Sequence, residues 1–211
     1  MRKIFNTSLF VLLAYILPLL GRPGLLLHPK ALLLMAGAAI LFLTQPTLKL
    51  EEAREERNRD RNSVLLILLL SLASAAAPVL DWAYWHPQRH HPAAVLIGLG
   101  LMAGGIGLRI WSILALGALF TPTVQIRQEH QLIQTGPYRW VRHPSYLGAF
   151  LALLGGAVVL ESWIGIAICL CLMSIAYYIR ITLEEKALVE AFGEKYIQYQ
   201  EQTFRLVPFF W

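Results

Sequence analysis

Three polar clusters interrupt the otherwise apolar second half of the chain, and their residue types set the chemistry available. The first holds Gln125 and the run His130, Gln131, Leu132 and Ile133. The second runs from Gly136 through Tyr138, Arg142, His143, Pro144, Ser145 and Tyr146 to Gly148, and the third holds Arg180, Glu184 and Glu185. Gly136-Pro137 forces a turn, and Pro144 suits the first turn of a helix that starts near Ser145, where its missing N–H costs nothing. His143 then stands at the helix mouth with Tyr146 about one turn along. Backbone donors and the helix dipole favour a ligand with negative or polar groups there. Arg180 and Glu184 are four residues apart and share a helical face with Tyr177. They read either as a simple intrahelical ion pair or as part of a ligand site; the second acid, Glu185, and the neighbouring polar loop favour the site. Arg109 lies inside a long apolar run, a depth at which an ionisable side chain is a functional candidate unless it snorkels to the interface.

These groups need elements to hold them, and the composition says in what solvent. Of 211 residues, 57% are hydrophobic and 15% charged, and the mean hydropathy is +0.56. A soluble domain of this length carries about a quarter of its residues charged, so the bilayer is the better solvent. The excess of 18 Lys and Arg over 13 Asp and Glu gives a net charge of +5. These bases lie at the ends of apolar runs and in the C-terminal third rather than in one patch, which excludes a nucleic-acid surface and fits cytoplasmic segments of a membrane protein. Cys169 and Cys171 are two apart in an apolar run and read as packing residues.

The apolar runs are residues 4–20, 25–43, 64–85, 93–120 and 146–181. The last is too long for one untilted span and is broken at Gly155-Gly156 and at residues 161–163, so it reads as a hairpin of two helices. The fold class is therefore an all-α integral membrane protein of about five transmembrane elements, the last a helical hairpin, with a cytoplasmic C-terminal cap. The most polar stretch, residues 49–62, interleaves acids and bases and reads as a solvated helical extension. Trp82, Tyr84 and Trp85 suit an interfacial belt. Gly100 and Gly104 make a small-xxx-small pair for close helix packing. His86, His90 and His91 lie in a polar loop with no Cys or carboxylate at ligand spacing, so no metal site is assigned. From Glu184 onward, Leu188, Val189, Phe192 and Tyr196 recur at helical spacing, which predicts an amphipathic helix with an interface-seeking tail. An N-terminus inside puts Arg2, Lys3, Lys49, Arg54, Arg57, Arg59, Arg61 and the seven Lys and Arg after Phe120 in the cytoplasm, against Arg22, Lys30 and Arg89 opposite. The whole chain, 1–211, reads as one membrane domain, with residues 1–92 as N-terminal transmembrane helices and the chemistry in 93–211.

The string Gly136-x-Tyr138-x-x-x-Arg142-His143-Pro144-x-Tyr146-x-Gly148, then Arg180-x-x-x-Glu184-Glu185-x-x-Leu188-x-x-x-Phe192-Gly193-x-x-Tyr196-x-x-Tyr199 and a closing Pro208, resembles the isoprenylcysteine carboxyl methyltransferases and their prokaryotic relatives. Phospholipid N-methyltransferases share much of it. The match covers roughly the last half of the chain, and the two motifs together are more specific than either alone. The resemblance implies an S-adenosylmethionine-dependent methyltransferase whose core is residues 93–211, working on a lipophilic or lipidated acceptor in the bilayer. It implies cofactor contacts from Gln125, His130, Gln131, Leu132, Ile133, Tyr138, His143, Pro144, Ser145, Tyr146, Glu184 and Glu185. Arg180 and Arg109 would face the methyl acceptor, with Glu184 beside them in the catalytic set.

Methyl transfer from a sulfonium needs alignment and a dry site more than strong acid or base. A carboxylate acceptor is already ionised at neutral pH, and arginines can orient it by charge-assisted bonds. An amine or thiol acceptor requires a deprotonation route, for which the sequence offers no unambiguous base. A sterol-reductase-like nicotinamide enzyme and a non-catalytic membrane scaffold are the remaining readings.

Overall fold

The computed structural model describes residues 2–44, 60–86, 91–117 and 132–209. Most of the charged stretch 49–62, His90, and the segment with Gln125, His130 and Gln131 lie outside them. Among the described residues every extended element is a helix. We number them α1, Arg2–Val11, which continues through a π-helical turn at Leu12–Ile16 and a last turn at Leu17–Leu19; α2, Pro29–Leu43; and α3, Asp60–Leu80, which runs into a π-helical turn at Asp81–Trp85. The others are α4, Pro92–Leu116; α5, Pro144–Val159; α6, Trp163–Phe192; and α7, Glu194–Gln202.

Helices α3, α4 and α6 are long and apolar enough to cross a membrane, and α1, α2 and α5 are shorter apolar helices. The expected hairpin is α5 and α6. Its break falls at residues 160–162, not at Gly155-Gly156, because those glycines are buried inside α5 as packing sites. Ser162 caps α6 by accepting from Gly165 N at 2.9 Å. The apolar helix does not end near Ile181 as the sequence suggested: α6 carries on as one rod to Phe192, and Gly193, at φ 55°, turns the chain into α7.

Large apolar side chains face outward on several helices, with Leu96 68% and Leu114 73% exposed. That is the surface of a protein dissolved in lipid. Inside, α1, α2 and α3 share a core of Phe10, Tyr15, Leu19, Leu34, Val79 and Trp82. A second core on α6 joins Cys169, Met173, Tyr177 and Ile181 to Leu206 of the C-terminal segment. Two expectations change here. Cys171 is exposed while Cys169 packs inside, since residues two apart on a helix point in different directions. Trp82 is buried edge-on to His28 at 5.0 Å, so only Tyr84 and Trp85 remain on the surface.

Polar contacts tie the helices together at both ends of the bundle. At one end Glu161 Oε1 meets Lys30 Nζ at 2.9 Å, and the His91 backbone N–H donates to Glu161 Oε2 at 2.9 Å. This ties the starts of α2 and α4 to the hairpin turn. Burial opposes ionisation of Glu161, but these bonds hold its carboxyl below the usual range. Near the same end, His86 pairs with Asp81 at 2.6 Å. At the opposite end, Ser63 of α3 meets Arg180 of α6.

The tightest packing is between α4 and α5, and it uses different glycines from the expected pair. A side-chain carbon on Gly105 would lie 2.5 Å from Gly148 O, and one on Gly148 would lie 2.6 Å from Gly105 O and 2.7 Å from Arg109 N. Gly98 and Gly155 repeat the arrangement seven residues earlier and later. Gly100 and Gly104 have open space instead. Two glycine pairs at a spacing of seven, two helical turns, keep one face aligned along both helices. Adding a methyl group should therefore separate the two faces. Gly105→Ala should destabilise by ~1–3 kcal/mol through overpacking against backbone. Gly104→Ala should be neutral or gain up to about 1 kcal/mol from helix propensity. Thermal unfolding in detergent distinguishes them, and equal effects would refute the backbone contact.

Candidate functional site

The glycine contact sets Arg109 of α4 against the first turn of α5. Arg109 is 4% exposed. Rather than snorkelling, its Nη1 donates to Ser145 O at 3.0 Å and to Ser145 Oγ at 2.9 Å. Its Nε is buried with no hydrogen-bond partner among the described residues. Pro144 is the first residue of α5 and fully buried, as its chemistry suggested, and His143 stands at the N-cap.

One turn along α5, Tyr146 links the two halves of the hairpin. Its hydroxyl donates to Glu184 Oε2 at 2.7 Å and accepts from Arg180 Nε at 3.2 Å. The direct Arg180–Glu184 separation is 4.0 Å, so the helical pair expected from their spacing is bridged by a phenol from another helix. Arg180 is 3% exposed and also donates to Ser63 Oγ at 2.9 Å. His143 stacks on Tyr146 with ring centroids 5.8 Å apart, and Tyr146 lies 5.2 Å from Tyr177. Arg109, Ser145, Tyr146, Arg180 and Glu184 therefore form one chain of contacts through α4, α5 and α6.

Glu185 serves a different set of partners and shares His143, whose Nδ1 lies 3.9 Å from Glu184 Oε1. Glu185 Oε1 accepts from Arg142 Nε at 2.8 Å and lies 3.2 Å from His143 Nε2, while Oε2 lies 2.9 Å from Arg205 Nε. Arg142 Nη1 also donates to the carbonyls of Gln200, at 2.9 Å, and Thr203. The Trp140 carbonyl accepts from Phe204 N, and the Phe204 carbonyl accepts from Arg142 N, both at 2.9 Å. The C-terminal strap after α7 is thus fastened across the loop that carries His143, with Glu185 as the buckle. Tyr199 completes it by donating to Tyr138 O at 2.6 Å. Burial pushes the phenols of Tyr138, Tyr196 and Tyr199 up from their ordinary range, and nearby carboxylates add to this. They remain protonated donors at neutral pH.

The remaining expected residues divide by position. Tyr138 is buried in the short 3-10 turn Gly136–Arg139. Leu132 and Ile133 are half-buried just before it, while Gln125, His130 and Gln131 fall outside the described residues. Sequence reasoning left out Ser63, Arg142, Tyr196, Thr203 and Arg205 as site residues. Arg142 and Tyr196 stood inside the motifs quoted for the resemblance and could have been taken from there. Ser63, Thr203 and Arg205 carry no local signal, since only the tertiary fold brings them to the cluster.

Comparison with known proteins supplies the family. Residues 96–190 match the model of the isoprenylcysteine carboxyl methyltransferase family. The protein-S-isoprenylcysteine O-methyltransferase of Tribolium castaneum is 34% identical over 119 residues, covering 54% of this chain and 41% of that protein. The one from Saccharomyces cerevisiae is 36% identical over 95 residues, covering 44% of this chain and 40% of its own length. The chain thus spans about two-fifths of these two relatives. Protein-S-isoprenylcysteine O-methyltransferase B of Arabidopsis thaliana is 35% identical over 144 residues, covering 67% of this chain and 73% of that one. The solved structure of a eukaryotic intramembrane Ras methyltransferase, an isoprenylcysteine carboxyl methyltransferase, superposes with a TM-score of 0.66 at 23% identity, over 98% of this chain and 75% of that one. It shares the fold. On the extent and identity of the Arabidopsis match, together with the family model, the chain belongs to the isoprenylcysteine carboxyl methyltransferase family.

Proposed function

We propose that this chain is an integral membrane methyltransferase that takes its methyl group from S-adenosylmethionine and places it on the carboxylate of a prenylcysteine-like, lipophilic acceptor. The observation that carries the reading is the Arg109–Ser145–Tyr146–Glu184–Arg180 chain of contacts, built at the end of an apolar hairpin where a polar donor and an oily acceptor can meet. The relatives are named for carboxyl methylation of isoprenylcysteine, which supports the acceptor class. Charge supports it too: Arg109, Arg142, Arg180 and Arg205 stand against Glu184 and Glu185, a surplus of positive charge that suits anionic ligand groups better than an amine.

The residues present fit the methyl donor. Glu184, with its side chain 25% exposed, is the acid left to accept from amino or hydroxyl groups. The faces of His143 and Tyr146 offer aromatic walls for a cationic or adenine group. When bound, S-adenosylmethionine would supply an electrophilic methyl carbon to which a carboxylate oxygen bonds as the S–C bond breaks and its pair stays on the departing thioether, so no proton has to move. Arg109, held by Ser145, and Arg180, held by Tyr146 and Ser63, are pre-set to orient the acceptor carboxylate. Their engagement with protein oxygens keeps them from gripping it so tightly that the nucleophile is blunted. In the same reading, Glu185 is a positioning residue and Glu184 the ligand contact. The family resemblance assigns further donor contacts to Gln125, His130, Gln131, Leu132 and Ile133. The Arg180 end of the bundle and the C-terminal strap form a cap on the cytoplasmic side, with α1 to α4 as four crossings and the hairpin as the fifth element.

Incubating the purified protein in lipid with methyl-labelled S-adenosylmethionine and an S-prenylated N-acetylcysteine tests the reaction. The expected product carries label that mild base releases as volatile methanol, the mark of a methyl ester. Base-stable label, or none, would overturn carboxyl methylation. The two acids separate the roles. Glu184→Gln, whose amide oxygen can still accept from Tyr146, should weaken binding of S-adenosylhomocysteine at least tenfold, about 1.4 kcal/mol, and leave the Tm of the ligand-free protein nearly unchanged. Glu185→Ala removes the carboxylate shared by Arg142, Arg205 and His143 and should cost on the order of 2–3 kcal/mol, read as a Tm lower by several degrees. Reversal of the two phenotypes would reverse the assignment.

A further inference from the structure

The C-terminal strap is anchored on one side and bare on the other. Leu206 is 4% exposed and packs, with Val207, into the core that holds Met173, Tyr177 and Ile181 of α6. Three residues on, Phe209 is 90% exposed and sits at φ 65°, a left-handed backbone that bulky side chains rarely adopt. Its ring lies 4.9 Å, centroid to centroid, from that of Phe204, which is itself exposed. A second aromatic pair stands on the segment to which the strap is bonded. Trp140, 55% exposed, packs edge-on to Trp111 of α4 with ring centroids 6.3 Å apart. Backbone bonds join the two pairs: Phe204 N donates to Trp140 O, and Arg142 N donates to Phe204 O. Trp111 is exposed too, and it neighbours Leu114 on the outer side of a helix long and apolar enough to cross a membrane. The bare side of the strap is therefore continuous with the wall that meets lipid.

We propose that the Trp140, Phe204 and Phe209 rings seat in the headgroup–acyl boundary of the bilayer, and that this lipid contact holds the strap against the loop carrying His143. The occupant is the lipid because the patch runs on from the lipid-facing side of α4, and because aromatic rings are favoured where apolar and polar surroundings meet. In water, the Phe209 ring would gain by folding back on the core beside Leu206. Its left-handed backbone turns it outward instead. Arg139, exposed next to Trp140 in the chain, suits the phosphate level just beyond the rings. The position of the patch gives the contact its consequence. Phe204 is bonded to both Trp140 and Arg142, and Arg205 beside it meets Glu185, so a ring drawn into lipid at Phe209 bears on the residues that fasten the loop. This goes beyond the proposed reaction and holds whatever molecule the polar corner receives.

Photo-cross-linking of the full chain in phospholipid nanodiscs tests the seat. The photoreactive p-benzoylphenylalanine is placed at Phe209, with the same probe at exposed Leu114 of α4 as the lipid reference and at exposed Gln198 of α7 as the water reference. The probe at Phe209 should give a phospholipid adduct in a yield like that at Leu114 and at least about tenfold above that at Gln198. A cross-linked pair of chains, a cross-link within the chain, or a yield no higher than at Gln198 would overturn the proposal. Hydrogen exchange in the same nanodiscs tests the hold. Phe209→Ser should speed exchange of the Arg142 and Phe204 amides about tenfold and leave the amides of α5 as in wild type. Phe209→Trp should keep wild-type protection. Unchanged exchange in the serine variant, or a rise that extends through α5, would equally overturn it.

Discussion

The site depends on two helix backbones touching. In a bilayer, apolar side chains gain little by meeting one another instead of lipid tails, so helices are held by close packing and by polar bonds between them. Here Gly105 and Gly148 remove the side chains that would keep α4 and α5 apart, and Gly98 with Gly155 does the same two turns away. The contact at Gly148 falls against the backbone N of Arg109. That register brings the guanidinium to the first turn of α5, where the Ser145 carbonyl and hydroxyl receive it. A wider separation would leave a charged side chain inside an apolar helix with no acceptor, at a cost the fold could not carry.

Once α5 is fixed, its first two turns decide what α6 and the C-terminal strap can do. Tyr146 reaches Glu184 and Arg180 together, so an ion pair that would be weak at 4.0 Å becomes a three-membered arrangement with the phenol between. His143 reaches Glu185, and Glu185 holds Arg142 and Arg205. The two adjacent acids, about 100° apart on one helix, thus serve different arginines, with His143 between them. Glu185, with both oxygens engaged, fastens the strap over the loop, while Glu184 keeps part of its carboxylate accessible. In this arrangement the rigid partners surround the groups proposed to meet the ligands, which is how a site limits reorganisation when it is filled.

Much of this was legible in the residues. The apolar runs marked out the helices and their order, because these follow from transfer energy and length. The Pro144 start of α5 and the shared face of Arg180 and Glu184 followed from local geometry. What could not be read was which small residues met which. Gly100 and Gly104 satisfy the usual spacing, but the face that packs is Gly98 and Gly105, and only the partner helix with Gly148 and Gly155 decides that. The end of the last long helix was also misplaced. Glu184 and Glu185 look like the start of a polar segment, but their partners lie on α5 and the strap, so α6 continues through them to Phe192. Arg205 and Ser63 had no sequence signal because their roles exist only across the fold.

The central claim is that one polar corner, made by the starts of α3 and α5, the far half of α6 and the C-terminal strap, receives the methyl donor. An experimental structure of the protein with S-adenosylhomocysteine bound in lipid tests it most directly. The account expects the nucleoside in contact with Glu184, and beside His143 and Tyr146, with Glu185 still clasping Arg142 and Arg205. A ligand seated elsewhere on the bundle, with the Tyr146–Glu184 bond unaltered and no contact to either residue, would contradict it.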